Sequence, residues 1–387
     1  MQYTAPHYYK KFKCIADKCP DTCCAGWQIM IDNKSMRKYK TLKGNIGKRL
    51  RKEINKKEQR FNQYDKRCAF LNRDNLCALV LAGGDDYLCR TCRMFPREIE
   101  EYDGLREISL SLSCPVVADM LMSMDEKVTF IHREGKDLGE PDEDFDFIFF
   151  TKLEDTRDLM MNIIQNREYP ISVRMAIVLS LGHDVEERTK RNCMFDIDEL
   201  LDKYSGENVF KYFTKKLRSI KKESSSNYVL EEIFSVVDYI VVLKESWPYY
   251  LKTVEDTLFK HMDSVDKRAL NRWNDSMEIP MEQLMVYYIY KYFCPSVYDG
   301  NVYTRTKFAV ISSVVIREMT KAMLVKQKIL NSRSNLELFK DCCFVVLSDA
   351  ARRYSKEVEH SDDNLEFMRE AFKDEERFAI DEILSVL

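Results

Sequence analysis

Residues 304–330 read TRTKFAVISSVVIREMTKAMLVKQKIL and carry apolar side chains three and four positions apart. The residues that follow this spacing are Phe308, Ile311, Val315, Met319 and Met323. Such a period places apolar side chains on one face of an α-helix. The stretches 227–243 and 282–293 show the same period, and no strand–helix alternation typical of a doubly wound sheet accompanies them. The sequence therefore predicts an all-helical region from about residue 147 onward.

Proline and glycine mark the boundaries of the predicted elements. We expect helices to begin or end at four prolines, which are Pro170, Pro248, Pro280 and Pro295. Upstream, residues 34–57 predict helix interrupted by two glycines, and residues 107–113 alternate apolar and polar side chains as a short strand does. Residues 132–146 are rich in acidic residues and contain two glycines and a proline. We therefore predict a mainly α protein with an irregular cysteine-rich module at 1–131, an acidic linker at 132–146 and a helical domain at 147–387.

Cysteine is concentrated in the N-terminal third of the chain. Nine of the 13 cysteines fall within the first 114 residues, namely Cys14, Cys19, Cys23, Cys24, Cys68, Cys77, Cys89, Cys92 and Cys114. The start MQYTAPHYYKKF has no apolar core of a secretory signal. No apolar stretch approaches the ~20 residues of a membrane helix. These features predict a cytoplasmic protein without membrane attachment, in which clustered thiols are metal ligands rather than disulfides.

Tetrahedral thiolate sites suit zinc or an iron–sulfur cluster. Only Cys89 and Cys92 have the C-x2-C form usual in zinc sites, and His7 is the only histidine near the nine thiols. The adjacent pair Cys23 and Cys24 is easier to place at a cluster, which offers several metal atoms. Some of the nine could still be ordinary buried thiols. The dispersed cysteines are expected in helix core, and these are Cys193, Cys294, Cys342 and Cys343.

Charge is distributed unevenly along the chain. The net charge is −3, but residues 1–115 hold 23 Lys and Arg against 14 Asp and Glu. The basic run at 48–57 fits a nucleic-acid patch or a solvated helix face, and Leu50 and Ile54, four residues apart, favour the helix face. The acidic remainder of the chain argues against nucleic-acid binding.

Several cysteine-bearing segments resemble the flagellin lysine-N-methylase family. They are 1–10 (MQYTAPHYYK), 12–14 (FKC), 21–27 (DTCCAGW), 67–71 (RCAFL), 88–97 (LCRTCRMFPR) and 109–115 (SLSLSCP). The cysteine block is also similar to a wider bacterial family of zinc- or iron-chelating domains, whose pattern includes all nine cysteines except Cys89. The resemblance implies S-adenosylmethionine-dependent methylation of flagellin lysines by a protein that carries a four-iron cluster.

The sequence does not single out a catalytic residue or a methyl-donor site. Residues 249–250 and 287–288 are tyrosine pairs that could cage an alkylated ammonium, but core or boundary positions are the expected role. The five histidines are dispersed, and no Gly-rich nucleotide motif follows a predicted strand. The alternative function is a non-catalytic iron–sulfur or zinc protein that senses redox state or metal.

Overall fold

The computed structural model describes residues 1–136, 143–223, 226–262, 265–332 and 335–387. Helices dominate from residue 147 onward, which confirms the predicted mainly α class. The helices are α1 (Asn33–Thr41), α2 (Gly44–Lys52), α3 (Ala78–Gly83), α4 (Arg90–Met94), α5 (Pro115–Met122), α6 (Phe147–Ile164), α7 (Ile171–Lys190), α8 (Asp196–Ser205), α9 (Glu207–Glu223), α10 (Ser226–Asp238), α11 (Trp247–Lys260), α12 (Lys267–Tyr292), α13 (Val302–Lys326), α14 (Leu336–Val358), α15 (Asp362–Ala371) and α16 (Ile380–Ser385).

Helix α13 forms the centre of the helical region. Nearly all of its side chains are buried, because α7, α11, α12 and α14 pack around it. A helix that is surrounded on all sides has no solvent-facing side, so apolar residues can occupy its whole circumference. The close approach of α7 depends on Gly182, where a Cβ would collide with Thr306 of α13. The predicted helix at 304–330 is thus confirmed as a core element.

One predicted helix boundary is wrong. Pro280 lies inside α12 rather than at its end. A proline removes a single backbone N–H donor and disfavours a straight helix, yet Met277 and Met281 on either side of it are buried in the core. This packing keeps α12 continuous from Lys267 to Tyr292.

Strands lie in the N-terminal region. They are β1 (Gln2–Pro6), β2 (Ile54–Asn55), β3 (Arg60–Phe61), β4 (Gln63–Tyr64), β5 (Arg67–Cys68), β6 (Arg97–Tyr102), β7 (Leu105–Leu110) and β8 (Phe130–Glu134). Four of them form one sheet in the order β6-β7-β1-β8, with β1 parallel to β7 and antiparallel to β8. The predicted strand at 107–113 corresponds to β7.

The expected linker at 132–146 is only partly described. Residues 132–134 continue strand β8, and residues 137–142 lie outside the described residues. Side chains of the four-stranded sheet and of α5 share one apolar core with the helices, and Leu110, Leu121 and Leu153 belong to it. The division into a module and a helical domain stays a prediction.

A second, smaller apolar core lies within residues 24–92. Its buried centre includes Ile29, Leu50, Phe61 and Phe70. Several of the N-terminal cysteines pack into this core, so thiols form part of its wall. Among the described helices, none combines the length and the apolar character that crossing a membrane requires.

Candidate functional site

Five of the nine N-terminal cysteines gather in the smaller core and are called here the inner thiol set. They are Cys24, Cys68, Cys77, Cys89 and Cys92. Backbone pairing brings the first three together. The amide of Cys68 donates to the carbonyl of Cys24 at 2.8 Å, and residue 71, three positions after Cys68, forms a β-bridge with Cys77.

A short helix supplies the other two thiols of the inner set. Cys89 caps the N-terminus of α4 and Cys92 lies in its first turn. The helix is held against the loop before α1, because the Thr91 hydroxyl donates to the Met30 carbonyl at 2.8 Å and the Arg90 amide donates to Asp32 at 2.8 Å. Helix α4 therefore carries its two cysteines as a unit.

The remaining four cysteines form the outer thiol set, which consists of Cys14, Cys19, Cys23 and Cys114. The Cys19 thiol donates to the Asp21 carbonyl at 3.2 Å, and Cys114 caps the N-terminus of α5. Burial, with Cys19 and Cys14 nearby, raises the pKa of Cys114 to about 11. Burial also raises the pKa of Cys19, with Cys14 adding to the shift. The outer thiol set thus comes from residues 14–23 and from the start of α5.

The two sets meet at one peptide bond. The Cys23 and Cys24 side chains interact, which lowers the pKa of Cys24 to about 7 and raises that of Cys23. Lys356 of α14 favours the thiolate form of both side chains. In the inner set, burial raises the pKa of Cys68 to about 12. Cys24 is thus the most easily ionised thiol at the junction.

The thiol sets do not form a ready single-ion site. Among the described residues, no three His, Cys, Asp or Glu side chains converge closely enough to hold one metal ion. A four-iron cluster takes each of its four thiolates at a different iron atom, so its ligands need not converge on one point. The iron–sulfur cluster that the sequence predicts therefore stays a prediction.

A buried carboxylate joins the cysteine loop to the helical region. Asp21 forms ion pairs with Lys244, Arg352 and Lys356, and the Lys356 ammonium lies 2.9 Å from its Oδ1. Burial opposes ionisation of Asp21, but Lys356 and Lys244 outweigh it and lower the pKa of this carboxyl. Gly26, at φ +92°, lets the loop lie against Lys356 and Lys244. Three cations therefore surround the Asp21 carboxylate, and Arg352 among them also pairs with Asp349.

Three half-buried rings lie next to this charged junction. The ring of His360 is 5.1 Å from that of Trp27 and 5.8 Å from that of Phe95. The Trp27 indole donates to the Cys23 carbonyl at 2.7 Å, which ties this group of rings to the outer thiol set. His360 Nε2 lies 2.6 Å from the Ser113 hydroxyl, and within the described residues its Nδ1 has no hydrogen-bond partner.

Burial and nearby cations keep His360 neutral. Burial, followed by Lys356 and Lys291, lowers the pKa of this imidazole to about 3. A neutral imidazole does not repel a positively charged ligand. The rings of Trp27, Phe95 and His360 are called here the aromatic triad.

A second buried carboxylate lies directly before His360 in the chain. Glu359 accepts hydrogen bonds from the hydroxyls of Tyr287 and Tyr292 at 2.7 Å each, and the Lys291 ammonium lies 2.7 Å away. Burial opposes its ionisation, but Lys291 prevails and lowers the pKa of Glu359. The tyrosines at 287–288 are therefore buried, with Tyr287 in this network, whereas Tyr249 is 79% exposed.

Sequence reasoning found the cysteines and missed their surroundings. Asp21 and Trp27 lie inside the segment DTCCAGW, which is one of the segments that resemble the methylase family. Their place in that segment could have marked them as site residues. His360 and Glu359 had no such signal, because they reach the site from the end of α14. Cys294 and Cys343 are buried, as expected, whereas the expected core positions of Cys193 and Cys342 are wrong. Both are only half-buried, because Cys193 lies in the connection between α7 and α8 and Cys342 lies at the edge of the core.

Comparison with known proteins points to one family. A family model described as the FliB lysine N-methylase C-terminal domain matches residues 157–386. A lysine-N-methylase of Salmonella typhimurium is 28% identical over 129 residues, which cover 31% of this chain and 32% of that protein. The flagellar biosynthetic protein FliU of Salmonella muenchen is 28% identical over 142 residues, which cover 33% of this chain and 84% of that protein.

The curated matches are partial. The match spans about a third of the length of the Salmonella typhimurium protein, and the same holds for a lysine-N-methylase of Salmonella choleraesuis at 28% identity. No solved structure matches the chain. The family match lies in the helical region, whereas the nine N-terminal cysteines and the aromatic rings of residues 27 and 95 lie before it.

Proposed function

Because the chain belongs to the family of the FliB lysine N-methylase C-terminal domain, we propose that it is a protein-lysine N-methyltransferase. Its methyl donor is S-adenosylmethionine, its substrate is flagellin and its location is the cytoplasm. The family match over more than half of the chain carries this proposal. The names of the partial relatives, lysine-N-methylase and a flagellar biosynthetic protein, agree with the reaction and with the class of substrate.

The nine N-terminal cysteines supply the donors for an iron–sulfur cluster in this proposal. Their thiols come from five separate segments of the chain, and five of the nine pack into the smaller core. When bound, a cluster supplies an electron-transfer centre and a crosslink between these loops. We assign it no step in methyl transfer.

We place lysine recognition at the aromatic triad. An alkylammonium is attracted to the face of an aromatic ring, and the three rings are half-buried. The neutral state of His360 removes the repulsion that an imidazolium would exert. Once the lysine ammonium has released its proton to water, the neutral nitrogen would attack the sulfonium methyl carbon. The new N–C bond forms as the S–C bond breaks, and the demethylated donor leaves.

A methylation assay tests the proposal. Full-length protein, purified without oxygen, is incubated with unmodified flagellin and S-adenosylmethionine labelled in its methyl group. We expect label on flagellin lysines. Trp27→Ala should lower the rate about tenfold, since it removes one ring of the aromatic triad. Tyr249→Ala is the matched control, because this ring is exposed on α11 and lies outside the triad.

Two results would overturn parts of the proposal. Iron-loaded protein that places no label on lysine would favour the non-catalytic redox or metal sensor. Colourless protein with stoichiometric zinc would contradict the iron–sulfur centre while leaving methyl transfer open to the assay.

A further inference from the structure

The N-terminal region carries an exposed basic surface over residues 34–58, called here the basic face. This segment contains 11 Lys and Arg against two Glu, and all 11 of these cations are exposed. Among the described residues, the ion pairs of the basic face are those of Lys52 with Glu53 and of Glu58 with Arg60. Most of its positive charge therefore has no acidic partner in the part of the chain that the structure describes.

A groove of about 410 Å³ lies in the basic face, between α1 and the turn from β2 to β3. Its lining residues are Asn33, Met36, Arg37, Lys40, Lys56 and Gln59. Arg37 and Lys40 lie on one side of α1, because residues three and four positions apart are neighbours on a helix, whereas Ser35 and Tyr39 of the same helix are buried. Three exposed cations, two from α1 and Lys56 from the turn, therefore border one groove.

The backbone fixes the two walls of this groove relative to each other. The amide of Ile31 donates to the carbonyl of Gln59 at 2.7 Å, and Met30 forms a β-bridge with Arg60. The Asn55 side chain accepts two hydrogen bonds from amides of the turn, at 3.1 Å each. The groove is thus formed by hydrogen-bonded backbone and does not depend on the rotamers of long side chains alone.

The lining chemistry suits an acidic polypeptide. Lys and Arg attract carboxylates, the amides of Asn33 and Gln59 provide donors and acceptors for a peptide backbone, and Met36 provides an adaptable apolar contact. Single-stranded nucleic acid is instead bound on aromatic rings that stack with its bases. Tyr39 is the one aromatic residue at 33–60, and its ring is buried. The net charge of −3 also differs from that of the basic domains that bind nucleic acid.

The groove lies near the aromatic triad. Asn33 follows Trp27 by six residues, which span at most about 22 Å when fully extended. Helix α4, which ends directly before Phe95, is hydrogen-bonded to Met30 and Asp32 on the segment that leads into α1. One protein substrate can therefore contact the groove and the aromatic triad at the same time.

We propose that the groove of the basic face binds an acidic segment of the protein substrate and so directs methylation to lysines that lie near acidic residues. The inference deepens the proposed function and rests on its protein-substrate part. Carboxylates of the substrate pair with Arg37, Lys40 and Lys56 while the target lysine lies at the aromatic triad. Opposite charges of this kind speed the encounter and fix the orientation of the partners, and salt weakens them because they are exposed.

The experiment measures the binding of a fluorescently labelled oligoglutamate peptide to full-length protein by fluorescence anisotropy. Arg37→Glu/Lys40→Glu/Lys56→Glu should weaken binding about tenfold at low salt, because three attractive surface pairs become repulsive. Arg37→Gln/Lys40→Gln/Lys56→Gln, which removes the charges without reversing them, should have a smaller effect in the same direction. Both effects should shrink at about 0.5 M salt. In the methylation assay, the two variants should raise the KM for flagellin in the same order.

The matched control is Lys267→Glu/Lys326→Glu/Lys340→Glu, which changes the net charge by the same amount. These lysines are exposed and lie at the start of α12, the end of α13 and the start of α14. Lys340 precedes the end of α14, beside the aromatic triad, by 18 residues, or about 27 Å along the helix. Peptide binding by this control should equal that of wild type.

The outcomes separate this inference from the proposed function. Equal peptide binding by wild type and the charge-reversal variant, with unchanged circular dichroism, would refute the inference. A thymidine oligonucleotide of the same length that binds wild type about tenfold more tightly than the peptide would also overturn it, and would make nucleic acid the ligand. Peptide binding that is lost in the variant, in a protein that labels no lysine, would refute the enzyme and leave the groove as an acidic-peptide site.

Discussion

Asp21→Asn removes the charge that holds the cysteine loop to the helical region. The side chain of Asp21 is 6% exposed, and its partners Lys356 and Arg352 are 2% and 11% exposed. Removing one partner of a buried ion pair costs about 3–5 kcal/mol, because the other charge is left without compensation. Arg352 keeps Asp349 as a second partner, so we expect the lower end, about 3 kcal/mol. This corresponds to a roughly 150-fold change in the unfolding equilibrium.

The effect should depend on pH in a defined direction. The pKa of Asp21 is lowered in the folded protein, whereas an unfolded Asp titrates near about 3.9. Its stabilising contribution is therefore complete above the unfolded pKa and disappears as the pH falls through the lower, folded pKa. The difference between wild type and Asp21→Asn should stay constant from pH 8 to about 5 and shrink below about pH 4.

Urea unfolding followed by circular dichroism and by tryptophan fluorescence measures this difference. Trp27 reports on the cysteine loop, while Trp247 and Trp273 are buried in the helical region. Lys244→Met is the comparison variant. Lys244 is 29% exposed, and burial together with Lys356 lowers its pKa, so its charge is disfavoured where it lies. This variant should cost clearly less than Asp21→Asn. Equal losses, or a loss below about 1 kcal/mol for Asp21→Asn, would refute the reasoning.

Three further changes test the packing and the charges. Glu359→Gln should destabilise the protein by about 3 kcal/mol in urea unfolding, because Lys291 then keeps, among the described residues, Glu98 as its one anionic partner; a loss below about 1 kcal/mol would contradict the network. Glu255→Gln should raise Tm by about 2 °C at pH 8. Burial and Asp238 raise the pKa of Glu255 to about 6, so its charge destabilises the folded state as the pH rises above about 4.3, and the gain should vanish below that pH. Gly182→Ala should cost about 1–3 kcal/mol, since the new methyl group meets Thr306; an unchanged midpoint in urea would show that α7 and α13 can separate there.

Local periodicity predicted the helices well, because the residues that form a helix's packing face lie only three or four positions apart in the sequence. Phe308, Ile311 and Val315 share one face, and the helix that contains them runs from Val302 to Lys326. The sheet could not be predicted in the same way. Tyr3 pairs with Arg106 across about a hundred residues, and a parallel pairing of this kind has no short-range signal. The helix boundary predicted at Pro280 was wrong, because core packing on both sides of this proline outweighs its tendency to end a helix.

For the candidate site, too, the sequence predicted local features but not the contacts between distant segments. The count and spacing of cysteines predicted a metal module, and that prediction remains to be tested. The separation of Cys23 from Cys24 depends on which loops fold against each residue, which no spacing rule contains. His360 reaches the aromatic triad only because α14 ends beside Trp27.

The ion-pair partners of Asp21 are synthesised long after Asp21 itself. Lys244 and Lys356 follow it by 223 and 335 residues. At about 5–20 residues per second, Lys356 leaves the ribosome roughly 20–70 s after Asp21. Until the end of that interval the nascent cysteine loop lacks the charge of Lys356 and the cover of α14. We expect the thiols to be open to iron delivery, and to oxygen, while translation continues, and to be enclosed only when the last helices arrive.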